Sequence, residues 1–264
     1  MTKFTSEENQ AYWEDDKTIS IIDKNLHQLE TDFVSSHLNS ADTILDIGCG
    51  NGTATLRYAR KVKQCHGIER SERFLGEAID NLKASNVANT RFTGGDIYQL
   101  PYEDNSLDAI ITQRVLINLP SSEHQQTAIA EIHRVLKPGG RYICLENTYE
   151  SNERLNEARE AFDLTPIGLH WHNLYLHHDD FMNYTNTLFN LVEHKSFAMY
   201  YLLTRVFAQT FASFEGFGAD AKMDPVFKLI DKNARKIQEL YGDKFDTDAA
   251  NPLGPIQGFC FEKK

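Results

Sequence analysis

The stretch Ile44-Leu-Asp46-Ile47-Gly48-Cys49-Gly50-Asn51-Gly52-Thr53 decides the fold. An apolar run ends in an acid, three glycines follow at alternate positions, and a helical pattern begins after them. That is the signature of a strand that stops at a sharp turn and feeds a helix. The glycines remove Cβ atoms where the backbone takes unusual φ/ψ or lies close against a ligand. Such a loop belongs at the carboxyl end of a parallel strand, where open α/β sheets bind ligands. It differs from the dinucleotide fingerprint G-x-G-x-x-G, and no phosphate-cradling lysine follows it.

Working outward, Leu26, Leu29, Phe33, Val34 and Leu38, with Ile21 and Ile22 before them, share one face of a helix over 21–38 that packs on the sheet ahead of the first strand, 43–47. A helix over 53–62 leads to a strand at 64–69 ending in Glu69. Glu69 lies 23 residues beyond Asp46, one strand–helix–strand unit, and an acid there can accept hydrogen bonds from two ribose hydroxyls. The alternative is a surface acid capping the next helix. Helix 72–84, strand 89–94 and strand 108–113 follow, then a helix from Ser121 to about Val135 and a turn at Pro138-Gly139-Gly140 into a strand over 141–146.

Five ordered segments resemble one family. Asp46-Ile-Gly48-Cys49-Gly50-Asn-Gly52 is similar to motif I of the class I S-adenosylmethionine-dependent methyltransferases. Gly67-Ile-Glu69 resembles the acidic end of that family's second strand, and Gly95-Asp96-Ile97 its third-strand motif. Leu100-Pro-Tyr-Glu-Asp-Asn-Ser106-Leu-Asp108 resembles the segment leading into the fourth strand, and Leu136-Lys-Pro138-Gly139-Gly140 the turn into the fifth. The resemblance covers roughly residues 40–147. It implies an α/β, Rossmann-like seven-stranded sheet in the order 3-2-1-4-5-7-6, with the last strand antiparallel, helices on both faces and an inserted, mainly helical cap. The cofactor-binding core would run over 21–147 and be completed by 177–197 and 251–264. Segments 148–176 and 198–250 would be cap or substrate inserts, and 1–20 an N-terminal lid. Strand six would lie at 189–197 and strand seven at 256–261.

The resemblance also implies S-adenosylmethionine as methyl donor and S-adenosylhomocysteine as product. Asp46, Gly48, Cys49, Gly50 and Gly52 would surround the methionine part, Glu69 and Arg70 the ribose, Asp96 and Ile97 the adenine, and Gln113 the donor end of strand four. Asp96 could equally cap the short segment after it. Many relatives carry a histidine near position 118, where this chain has Asn118, so no catalytic histidine is carried over there. Arg114 can hold a carboxylate of cofactor or substrate, or form a structural ion pair.

The chain has 264 residues, 41% hydrophobic and 25% charged, ordinary for one large globular domain with a sizeable core. A net charge of −11 without any lysine- or arginine-rich run argues against nucleic acid as partner. Cys49, Cys65, Cys144 and Cys260 form no C-x-x-C pair and are expected as buried, reduced thiols of a cytoplasmic protein. The polar, acidic N-terminus does not read as a secretory signal, and no long charge-free apolar stretch could span a membrane.

Among acids, Tyr12 and Trp13 read as aromatics of a short helix, either anchored on the core or closing over a ligand. The segment His170-Trp171-His172-Asn173-Leu-Tyr175-Leu-His177-His178-Asp179-Asp180 has three readings: a substrate loop in which His170 or His172 takes a proton, a metal site, or a packed loop whose end begins a helix. The core chemistry requires no metal. Trp171 and, farther on, Tyr200 and Arg205 are candidate pocket residues; Arg205 sits in an apolar run and needs an anionic partner. Residues 222–241 form an amphipathic helix through Val226, Phe227, Leu229, Ile230, Ala234, Ile237 and Leu240. The sequence points to methyl transfer to an oxygen or nitrogen of a small-molecule acceptor. A non-catalytic S-adenosylmethionine-binding module and an aminopropyltransferase-like enzyme are the alternatives. It does not set the oligomeric state, a homodimer being one option.

Overall fold

The computed structural model describes residues 3–19, 23–214, 225–245 and 252–264. Ile21 and Ile22, the start of the expected 222–241 helix, and parts of the expected lid and of segments 198–250 and 251–264 lie outside them. Seven strands form one sheet: β1 Thr43–Ile47, β2 Gln64–Glu69, β3 Thr90–Gly94, β4 Leu107–Gln113, β5 Leu136–Asn147, β6 Phe189–Ser196 and β7 Ile256–Lys263. Their order is β3-β2-β1-β4-β5-β7-β6. β1 to β5 pair in parallel, and β7 runs antiparallel to both β5 and β6. Order and direction are as the sequence predicts.

The strands read as apolar runs because both faces are covered. Side chains alternate between faces, so Ile44, Ala109, Ile111, Ile143, Leu145 and Cys260 join one core while Leu45, Ile110, Tyr142, Cys144, Phe259 and Phe261 join the other. The first core is roofed by α2 Lys24–Ser36 and α3 Thr53–Ala59, the second by α5 Ser122–Val135 and α7 His178–Leu188. Between them in the chain lie α4 Glu72–Lys83 and α6 Tyr149–Glu160, and ahead of all is α1 Ser6–Glu14. Side-chain caps fix where helices begin: Thr5 and Glu8 form a reciprocal capping box on α1, Asp23 caps α2, Ser71 caps α4 and Ser121 caps α5.

Two elements differ from their sequence reading. The turn at Pro138–Gly140 does not precede β5 but lies within it. Leu136 already pairs with Leu107, and pairing resumes at Arg141 opposite Ala109, so the intervening residues bulge from the ladder with Gly139 at φ +72°. The insert after β5 is closed at its neck by a bridge between Thr148 and Leu176, with Tyr149 N–H donating to the Leu176 carbonyl and Leu176 N–H to that of Asn147. The later insert opens with α8 Ala198–Tyr201, passes through a π-helical turn Leu202–Phe207, and continues as α9 Ala208–Phe214 and α10 Pro225–Phe245. All four cysteines are buried and unpaired. Among the described residues no helix is long and apolar enough to cross a membrane.

Candidate functional site

The site forms where β1, β2 and β4 end side by side. β1 stops at Asp46-Ile47, and the backbone reverses through Gly48 at φ +65° and Gly50 at φ +54° into α3. A Cβ on Gly48 would lie 2.6 Å from a Val115 methyl, so the loop and the end of β4 approach as closely as bare backbone allows. Glu69, at the end of β2, pins this loop. Its Oε2 accepts from Gly50 N–H at 2.8 Å, and its Oε1 accepts from Arg70 N–H at 2.8 Å and Ser71 N–H at 2.9 Å. Burial raises the Glu69 carboxyl pKa, against the pull of those three amides.

Asp46 is buried and accepts from the Thr55 hydroxyl at 2.5 Å. Burial, opposed by that hydroxyl and helped by nearby Glu69, pushes its pKa up to about 7. Burial, reinforced by Asp46 and Glu69, also holds the neighbouring Cys49 thiol well above its ordinary range, which disfavours a thiolate nucleophile there.

A cavity opens over these strand ends. Its lining includes Asp46 to Asn51, Glu69, Arg70, Phe74, Gly95 to Tyr98, Gln113 to Val115 and Asn118, with Asn9, Gln10 and Trp13 of α1 and His27 of α2. Asp46, Gly48, Cys49, Gly50, Glu69, Arg70, Asp96, Ile97 and Gln113 thus line one cavity. Gly52 is not on the lining. Its φ of +75° and the closeness of Phe92 Cζ, 2.6 Å from where a Cβ would stand, show that it serves loop geometry and packing against β3.

α1 roofs the cavity. Trp13 Nε1 and Asn9 Nδ2 both donate to Asn118 Oδ1 at 3.2 Å, and Arg70 donates to Gln10 at 3.1 Å. Glu14, at the C-terminal end of α1, accepts from the first amides of α4, Glu72 and Arg73. Trp13 therefore faces the cavity. Tyr12 does not line it but stacks on His172 with ring centroids 3.9 Å apart.

The β4 side of the cavity is braced by two buried acids that sequence reasoning missed. Glu146, at the end of β5, accepts from Val115 and Leu116 N–H at 3.1 Å and Ile117 N–H at 3.4 Å, which shapes the short 3₁₀ turn Leu116–Asn118. Burial outweighs those amides and lifts its pKa to about 7. Glu30 of α2 is buried and accepts from Arg114 Nη1 at 2.5 Å, with Arg114 held at φ +56°. Burial raises the Glu30 pKa, but Arg114 and then His27 more than reverse this, and the net shift is downward. Both acids left a trace in sequence. Glu146 ends an apolar strand as Asp46 does, and Glu30 interrupts the apolar face formed by Leu26, Leu29 and Phe33.

The remaining candidates lie away from this cavity. His172 is buried behind α1, edge-on to Trp13 and Trp171, and stacks loosely on His170. Burial, with His170 and Lys3 nearby, lowers its pKa to about 4. Trp171 is half exposed and meets Phe4 and Tyr12 edge-on. Tyr200 is buried and donates its hydroxyl to Asp23 at 2.8 Å, while Arg205 pairs with the other oxygen of the same Asp23. The protein acid expected for Arg205 is therefore Asp23, the N-cap of α2. Of the pocket candidates, Trp13 and Arg114 reach the cavity, whereas Tyr12, Trp171, Tyr200 and Arg205 do not.

The sheet order and the acid-tipped, glycine-rich bend at its centre define an α/β fold of the class I methyltransferase type. Solved structures share it. A [4+2]-cyclase, SpnF, superposes with TM-score 0.59 at 23% identity over 96% of this chain and 85% of that one. A geranyl diphosphate methyltransferase solved with its diphosphate and sinefungin gives TM-score 0.59 at 11% identity over 90% and 80%. Residues 44–140 match the family described as methyltransferase domain. Among curated relatives, an uncharacterized methyltransferase of Schizosaccharomyces pombe is 35% identical over 120 residues, 42% of each chain. A demethylmenaquinone methyltransferase of Staphylococcus epidermidis is 32% identical over 138 residues, 50% of this chain and 55% of that one. The chain spans about half the length of the curated relatives it matches.

Proposed function

We propose that this chain transfers a methyl group from S-adenosylmethionine to an oxygen or nitrogen of a small-molecule acceptor and releases S-adenosylhomocysteine. One observation carries the reading: the buried Asp46 carboxyl and the positive-φ glycine bend open into a cavity that also holds Glu69 and Asp96. The residues present fit the donor. The Asp46 and Glu69 carboxyls, close enough that Glu69 adds to the burial that raises the Asp46 pKa, suit a cationic sulfonium nucleoside and oppose a pyrophosphate at the glycine bend. Gln113, on the lining of the same space, has a buried Nε2 donor without a partner among the described residues. Bare backbone at Gly48 and Gly50 would hold the methionine part, Glu69 the ribose, and Asp96 with Ile97 the adenine. The bound donor supplies an activated methyl group on a positively charged sulfur. The protein aligns the two reactants and, with α1 as roof, excludes water.

A roofed cavity suits a small acceptor, and the Staphylococcus relative is named for one. The cyclase among the structural neighbours shows why the fold alone does not decide the chemistry. The segment after β6 acts as a brace in this reading, since Tyr200 and Arg205 reach α2 through Asp23 without lining the cavity. Calorimetry with S-adenosylmethionine, followed by detection of S-adenosylhomocysteine over a metabolite panel, tests the reading. Asp46→Ala and Glu69→Ala are expected to abolish binding while the protein stays folded by circular dichroism. Unchanged affinity in both variants would refute the site; binding without turnover over the panel would leave a sensor instead.

A further inference from the structure

The proposed transfer leaves open where the acceptor's proton goes, and the β4 side of the cavity holds a group built to take it. His27 lies on α2, one turn before Glu30, and borders the cavity near Gln113 and Arg114. Its Nε2 has no hydrogen-bond partner among the described residues, although it is shielded from solvent. Nδ1 lies 3.5 Å from Glu30 Oε2, and the other oxygen of Glu30 is held by Arg114. The result is a relay of guanidinium, carboxylate and imidazole with one ring edge left over. Glu30 ties this group to Arg114, which follows β4, and β4 lies on the other side of β1 from β2, the strand that ends in Glu69.

We propose that His27 is the general base for a hydroxyl-bearing acceptor, a phenol or an enol, and that Glu30 orients its imidazole. The inference rests on the methyltransferase reading of the cavity. An imidazole is matched to a weakly acidic O–H near neutral pH, and a carboxylate on its other nitrogen fixes the tautomer and stabilises the imidazolium. In the step, the acceptor O–H bond breaks with its electron pair kept by oxygen, and the proton passes to His27 Nε2. The oxygen bonds to the methyl carbon while the carbon–sulfur pair returns to sulfur. The imidazolium then gives its proton to water as product leaves. The charged and titratable groups around the dyad are Glu30 on its own helix, Arg114 after β4, Tyr58 on α3 and Tyr201 on α8.

The test uses full-length protein and a panel of simple phenols and 1,3-diketones, with N,N-dimethylaniline as an acceptor that has no proton to lose. S-Adenosylhomocysteine release is expected with hydroxyl acceptors. On a responsive one, His27→Gln and His27→Ala are expected to lower kcat by roughly 10²–10⁴-fold. S-Adenosylhomocysteine affinity by calorimetry should meanwhile stay within about twofold of the wild-type value. In the S-adenosylhomocysteine-loaded protein, adding the same phenol should shift the His27 imidazole resonance. Turnover of the dimethylaniline alone, a kcat unchanged in both variants, an unmoved resonance, or a variant that loses nucleoside affinity in step with kcat would each overturn the assignment while leaving the methyltransferase reading in place. Absence of both nucleoside binding and release would overturn the two together.

Discussion

At Asp46, one carboxyl stands between its neutral and its ionised form at neutral pH. Burial outweighs the Thr55 hydrogen bond and sets its pKa near 7. A cation placed near it favours the ionised form, so binding of the donor at neutral pH should expel a proton. The enthalpy of S-adenosylmethionine binding at pH 7 is therefore expected to differ between phosphate and Tris buffers. The difference should shrink for S-adenosylhomocysteine, whose sulfur is uncharged, and vanish in Asp46→Asn. Equal enthalpies in both buffers for the wild-type protein would contradict it. Gly52 shows the other demand on the loop. Its φ of +75° and its contact distance to Phe92 leave no room for a Cβ. Gly52→Ala is expected to cost about 1–3 kcal/mol in urea unfolding, from left-handed strain and overpacking together. In the sequence the three glycines read as one motif. Which of them lines the cavity and which faces Phe92 depends on β3, contributed some forty residues later, so it was not legible there.

Among the elements, α2 carries both the brace for Arg114 and the histidine at the cavity. It is held at its first residue. Asp23 caps it by accepting from Asn25 and Leu26 N–H, and also accepts from Tyr200 and Arg205 of the second insert. Burial raises the Asp23 pKa, but Arg205, the Leu26 amide and Tyr200 more than offset this and the net shift is downward. Asp23→Ala removes a cap worth about 1 kcal/mol and leaves a guanidinium partly buried and unpaired. The pair retains some solvent contact, so the total loss is expected at roughly 1–3 kcal/mol rather than the full cost of breaking a buried pair. Arg205→Met, which removes the charge and keeps the stem, should lose less than Asp23→Ala. The order is checked by urea midpoints, and the reverse order would mean that Arg205, not the cap, anchors α2. The sequence announced that Arg205 needed an anion because it sits in an apolar run. It could not say which, because the partner is 182 residues away.

Across the whole molecule, what was legible is what local pattern controls. Apolar strands, an acid at the end of β1 and glycine turns mark the elements and the bend at the cavity, while the strand order came from the family resemblance those segments carry. Long-range pairing is what the pattern does not carry. The histidine-rich segment around His172 drew attention by density, yet it packs behind α1, while His27 lay unnoticed within an ordinary amphipathic helix. The same burial has a global consequence for pH. Asp46 and Glu146 have pKa values raised to about 7 in the fold, so their contribution is fully present below about 4 and is lost as pH rises through 7. His66 and His172 are lowered to about 4, by burial first, with Arg91 near the one and His170 near the other. Their contribution is fully present above about 6.5 and is lost as pH falls through 4. The raised acids and the lowered histidines oppose one another over the same window. Single substitutions unmask the tilt. Glu146→Gln keeps a neutral side chain of the same shape, and wild-type stability relative to it should fall by up to about 3 kcal/mol as pH rises from 4.5 to above 7. Relative to His172→Gln, wild-type stability should instead rise with pH over that range. Parallel profiles for all three proteins would show that neither group changes its proton affinity on folding, and that the buried acids behind the cavity are held ionised after all.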